Sequence, residues 1–191
     1  VSESSNKSDI IAANQALQQA LANANNAKTQ VDNENKSIKQ QLNALIAKAN
    51  TLSGKLTDND NDIKQAKSSL DAEIANANKA VNQNNNALMN SSKSSLDAKI
   101  TDITKKLEAF NATKKSEFTK LQETRSNIDK FLTPEVKNNP NYSALVRDLT
   151  NAKDAKKSVS ESSNKSDIIA ANQALQQALA NANNAKTQVD N

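Results

Sequence analysis

Cysteine, histidine and tryptophan are absent from this chain of 191 residues, glycine occurs once and proline twice. Without Cys there are no disulfides and no thiolate metal sites, and the redox compartment stays open. Without His, the side chain most often used as a general base near neutral pH is missing. So little Gly and Pro leaves few turns, which excludes a sheet-rich fold and predicts few, long elements. No stretch approaches the ~18 consecutive apolar residues of a membrane span, so this segment is not expected to enter a bilayer. Val1 in place of an initiator Met predicts a segment of a longer chain, with any leader or anchor outside it.

What is present is mostly Ala, Asn, Lys and Ser. Hydrophobic residues make up 36%, below the roughly 45–50% of ordinary soluble domains. Leu, Ile, Val and Phe number 37, close to the level of about 20% at which disorder competes. Disorder also calls for a large net charge, and the chain carries only +4. The spacing of the apolar residues decides for order.

Ile10, Leu17, Ala24, Val31, Ile38, Leu45 and Leu52 stand seven apart. Leu21, Leu42, Ala49, Leu56, Ile63, Leu70 and Ala77 form a companion row four residues behind. Such a 3–4 rhythm is the seam of a coiled coil or helical bundle. It resumes, phase-shifted, through Ile74, Val81 and Leu88, and again from Leu96 to Leu132. Gly54 and the run "DNDND" (58–62) break it, as do Pro134 and Pro140. The polar stretch 82–95 is a softer break. The pattern predicts a helix over 8–52, a second over 58–132 with an interruption near 84–94, and a third from Tyr142. "SESSNKSD" (160–167) has no apolar residue, so it is either a solvated helix or a short loop with Ser166 as cap; Ser and Asn at that density prefer turns, which favours the loop. The fold class expected is all-α, an elongated antiparallel three-helix bundle of spectrin-like outline. Small seam residues over 24–37 predict a loose point.

Residues 1–33 and 159–191 are identical letter for letter, at an offset of 158. Self-similarity at a long period marks a tandem array in which each unit completes itself against its neighbour. Residues 1–158 are therefore one full repeat and 159–191 the start of the next.

Candidate chemistry is sparse. Asp58, Asp60 and Asp62 are spaced like the first ligands of a calcium loop, but Ile63 and Ser69 stand where Gly and Glu would be required. An acidic helix start is the better reading. Between 91 and 131 nine Lys and Arg face six Asp and Glu, an interleaving that suits a solvated helix face more than a nucleic-acid stripe. Phe110, Phe118, Phe131 and Tyr142 suit packing between helices. Asn14 and Asn35 fall in the seam, where Asn can set register. No enzyme activity, cofactor, metal site or nucleic-acid partner is expected.

"NYSALVRDLTNAKDAKKSVSESSNKSDIIAANQALQQAL" (141–179) resembles the FIVAR-type module of bacterial surface proteins. The Asn- and Lys-rich language and near-identical tandem repeats are similar to those of the large repeat-bearing surface membrane proteins of mycoplasmas. The resemblance implies an extracellular array, anchored by a segment elsewhere in the protein. Its implied task is structural and adhesive, as a stalk supporting attachment or cell aggregation. The implied partners are neighbouring repeats of the same chain and host cell-surface or matrix proteins. An intracellular coiled-coil scaffold or spacer is the alternative.

Overall fold

The structure, a computed structural model, describes residues 1–191 and contains helices and connections with no strand. Helix α1 spans Lys7–Gly54, α2 Asn61–Gln83, α3 Asn86–Phe131, α4 Pro134–Asn138, α5 Ser143–Ala155 and α6 Lys165–Asp190, with a 3-10 turn at Pro140–Tyr142 before α5. The chain is an all-α bundle, as the periodicity predicts.

Polar residues punctuate it. The Asp60 carboxylate accepts from the Asp62 and Ile63 N–H groups at 2.9 and 3.3 Å, capping α2. The soft break proves sharp: α2 ends at Gln83 and α3 starts at Asn86. Asn84 takes φ 51, the left-handed conformation that Asn tolerates at helix ends. Its neighbour Asn85 accepts from Leu88 N–H at 3.0 Å and caps α3. Thr133 caps α4 with Pro134 at its first position, and the Asn139 side chain caps the 3-10 turn. The loop expected at "SESSNKSD" is also there, but α6 begins at Lys165 after Asn164. Ser166 is therefore no cap; it lies in the first turn, and its hydroxyl donates to Asn59 Oδ1 at 3.4 Å.

The helices pack as two compact units, one of Val1–Ser53 with Leu70–Ile100, the other of Gly54–Ser69 with Thr101–Asn191. The first buries Leu42, Ile46, Ala49 and Leu52 from α1, Leu70, Ile74, Ala77 and Ala80 from α2, and Met89, Leu96 and Ile100 from α3. Ser53 Oγ donates to Asp71 Oδ1 at 2.6 Å, and Lys93 to Gln41. In the second, α3, α5 and α6 run up, down and up. Asp129 pairs with Lys153, Thr124 meets Asn172, and Tyr142 at the head of α5 meets Asp190 at the tail of α6.

One half of the predicted seam differs from expectation. From Leu42 to Ala77 the companion row is buried throughout. Ile10, Leu17, Leu21 and Val31 are helical but 39%, 70%, 63% and 50% exposed. Periodicity reports a face able to be buried, and nothing covers this one. The stretch expected to be loose, 24–37, lies largely within this exposed half. Asn35, where exposure begins to give way to burial, holds a buried Oδ1 with no hydrogen-bond partner.

Candidate functional site: the seat of the repeated helix

The two copies of the 33-residue sequence make a comparison at constant composition. Locally they fold alike. Ser2 N–H donates to Ser5 Oγ at 3.1 Å, and Ser160 N–H to Ser163 Oγ at 2.9 Å. Gln19 meets Asn23 and Gln177 meets Asn181, both at 2.9 Å. Thr29 and Thr187 each donate back to the carbonyl four residues earlier at 3.0 Å. Lys28 bridges Asp32 at 2.7 Å, as Lys186 bridges Asp190 at 2.8 Å.

Their surroundings separate them. In the second copy Ile168, Ala171 and Leu175 are fully buried and Ala182 almost so. They close on Leu121 and Ile128 of α3, Val136 of α4, and Leu145 and Leu149 of α5. Phe118, Phe131 and Tyr142 pack at the margin of that core, as the sequence suggests. Each large side chain so buried contributes about 1.5–3 kcal/mol.

Polar contacts fix the register. The Asp58 carboxylate, buried in the loop before α2, accepts from Lys165 N–H at 2.9 Å and Asp60 N–H at 3.0 Å, with the Lys114 ammonium at 3.3 Å. It thus caps α6 from 107 residues away. Burial alone pushes this carboxyl up; the two N–H donors and Lys114 outweigh it and hold the group below the ordinary aspartate value. Asn164 Oδ1 returns the favour by accepting from Asn59 N–H at 3.1 Å. Thr124 Oγ1 donates to Asn172 Oδ1 at 2.5 Å inside the core, with the Lys120 carbonyl at 3.1 Å as the competing acceptor. Arg125 donates to the Lys156 and Val159 carbonyls at 2.8 Å each, gathering the orphaned ends where α5 stops.

Two cations lie over rings: Lys165 is 5.3 Å from the Phe110 centroid and Lys186 5.1 Å from that of Tyr142. Tyr142 donates its hydroxyl to Asp190, which raises the phenol; the Lys186 ammonium and, after it, this hydroxyl lower the carboxyl.

Two of the three carboxylates of "DNDND", those of Asp58 and Asp60, are thus engaged in capping. Asp58 and Asp60 serve different helices, so they do not converge on a common centre. Asn14 is exposed, while its twin Asn172 is buried and paired. Lys114 and Thr124 were missed as site residues, although both interrupt the apolar rhythm of α3 at seam positions. A polar residue on an apolar stripe is the signal that could have found them. Between α5 and α6 the small side chains, among them Ala144, Ala152, Ala178 and Ala185, leave an open groove of about 440 Å³.

The family model of the LMP repeated region matches residues 1–47 and 48–191. No curated protein and no solved structure matches the chain.

Proposed function

Because the chain belongs to the LMP repeated region family, we propose that it serves as a structural and adhesive repeat on the outer surface of a bacterial cell. The observation that carries this reading is the recurrence of residues 1–33 at 159–191, where the second copy completes a core begun by the helices before it. A fold whose core is finished by the start of the next unit is suited to an array rather than to a free-standing domain. Each unit adds helical length to a stalk, and identical faces repeated along it multiply weak contacts into avidity. The helix, polar link and helix of residues 143–190 support reading 141–179 as a FIVAR-type module, and the Asn- and Lys-rich composition supports a mycoplasma-type surface protein. The anchor lies in another part of the protein, host cell-surface or matrix proteins are the partners outside the chain, and the unit has no catalytic task.

The adhesive half is tested by coating beads with the chain and measuring retention on host cells and on immobilised matrix proteins. Retention several-fold above a helical control of scrambled sequence is the expected result. Retention equal to that control would remove adhesion and leave a spacer.

A further inference from the structure

We propose that the exposed first part of α1, residues 7–34, is a docking element for a second copy of this chain. Its acceptor is the surface formed by Asp58, the later part of α3, α4 and α5. That surface is the seat already described, and its chemistry is on view because an identical helix occupies it here. Ile10, Leu17 and Ala24 are the counterparts of Ile168, Leu175 and Ala182, which are 0%, 0% and 4% exposed in the seat. Asn14 is the counterpart of Asn172 and would meet Thr124 of the acceptor, while Lys7 would present its N–H to the acceptor's Asp58.

The division of α1 supports the same conclusion. Its buried side chains begin at Leu42, while the exposed part coincides with the repeated 33 residues. One helix therefore carries two faces in series, the second committed to its own unit and the first to a seat elsewhere. A single helix shared across the junction transmits its direction from one unit to the next without a loop.

In this chain the seat holds the chain's own second copy. The two copies have the same residues, so their intrinsic affinities for the seat are equal, and the tethered one wins by an effective concentration on the order of millimolar. Weakening the tethered copy alone should hand the seat to the first copy of another molecule. That contact is head to tail, so it leaves one free seat and one free helix at the ends and propagates instead of closing.

The inference rests on the repeat reading and not on surface location or adhesion, so a failed bead assay leaves it standing. The test is sedimentation velocity on four full-length chains: wild type, L17D, L175D and L17D/L175D. Wild type and L17D should be monomeric at about 10 µM, where a millimolar tether suppresses exchange at least tenfold. L175D should associate, with a weight-average mass at least twofold higher that rises with concentration, and L17D/L175D should return to monomer. Excess 33-residue peptide of the repeated sequence should also dissociate L175D. A monomeric L175D that keeps its helical circular dichroism, or a double variant that associates equally, would overturn the proposal. If L175D loses helix, the same comparison with L175A and L17D/L175A at ten times the concentration decides it by the same criteria.

Discussion

Asp58 shows how one side chain can tie distant stretches of sequence together. Its carboxylate is nearly enclosed, yet two backbone donors and the Lys114 ammonium keep it ionised. Asp58→Ala leaves the first N–H of α6 without a partner and Lys114 without its counter-charge. The expected loss is about 1–3 kcal/mol, read by urea unfolding. Asp58→Asn keeps an acceptor but no charge and should cost about half as much. The folded-state carboxyl lies below its unfolded value, so the unfolded chain binds the proton more readily. The stability it supplies is complete above the ordinary aspartate range and is lost as pH falls through the depressed folded value. Unfolding titrations from pH 6 downward should therefore slope more gently in Asp58→Asn than in the parent; parallel slopes would show that Asp58 is not the linked group. The surface pair Lys28–Asp32, with side chains 76% and 58% exposed, should contribute little at any pH.

At the scale of elements, the repeated helix separates what local sequence decides from what packing decides. Helix type, start and internal hydrogen bonds are the same in both copies, so those features belong to the 33 letters. Burial belongs to the neighbours, and no letter within the 33 encodes it. The matched substitutions Leu17→Ala and Leu175→Ala make the same chemical change on two surfaces. Leu175, with no exposed surface, should cost about 2–5 kcal/mol through lost contacts and a residual cavity. Leu17, 70% exposed, should fall within about 0.5 kcal/mol of the parent. Thermal melting of the two variants side by side reads the difference, and equal shifts would mean that both copies are packed.

The same contrast explains which parts of the fold were legible beforehand. The heptad rows gave the helices and most of the core from Leu42 onward, because apolar spacing records a face able to be buried and from Leu42 onward that face is covered. The Asn84–Asn85 break was visible only as polar density, since Asn populates helices, caps and left-handed turns alike. The contacts of Asp58 with Lys165 and of Thr124 with Asn172 span 107 and 48 residues. They could not be paired from spacing, although Lys114, Thr124 and Asn172 each mark themselves by interrupting an apolar stripe.

Across the whole molecule, one sequence in two environments is a test of what holds helices in place. A helix of this composition, rich in Asn and Ala, gains little from propensity, and isolated helices of modest length are marginal in water. Residues 165–188 are locked by a core and by contacts from Asp58, Thr124 and Tyr142. Residues 7–30 have none of these, and only Ala13 among them is even half-buried. Intrinsic amide exchange rates are equal for matched positions, because the sequences are equal, so any ratio reports packing alone. Amides of the second copy should exchange about 100-fold more slowly than their twins, a factor equivalent to the burial of a single large apolar side chain. Peptides from the two copies have the same mass, so the measurement requires segmental isotope labelling and NMR rather than digestion. If the full chain is then raised toward millimolar concentration, the first copy should gain protection at Ile10, Asn14 and Leu17 before its other positions, since their counterparts Ile168, Asn172 and Leu175 are the ones buried in the seat. Uniform protection along residues 7–30 would instead mark a helix stable by itself, and the array would then be held together at its joints by less than the packing of the second copy implies.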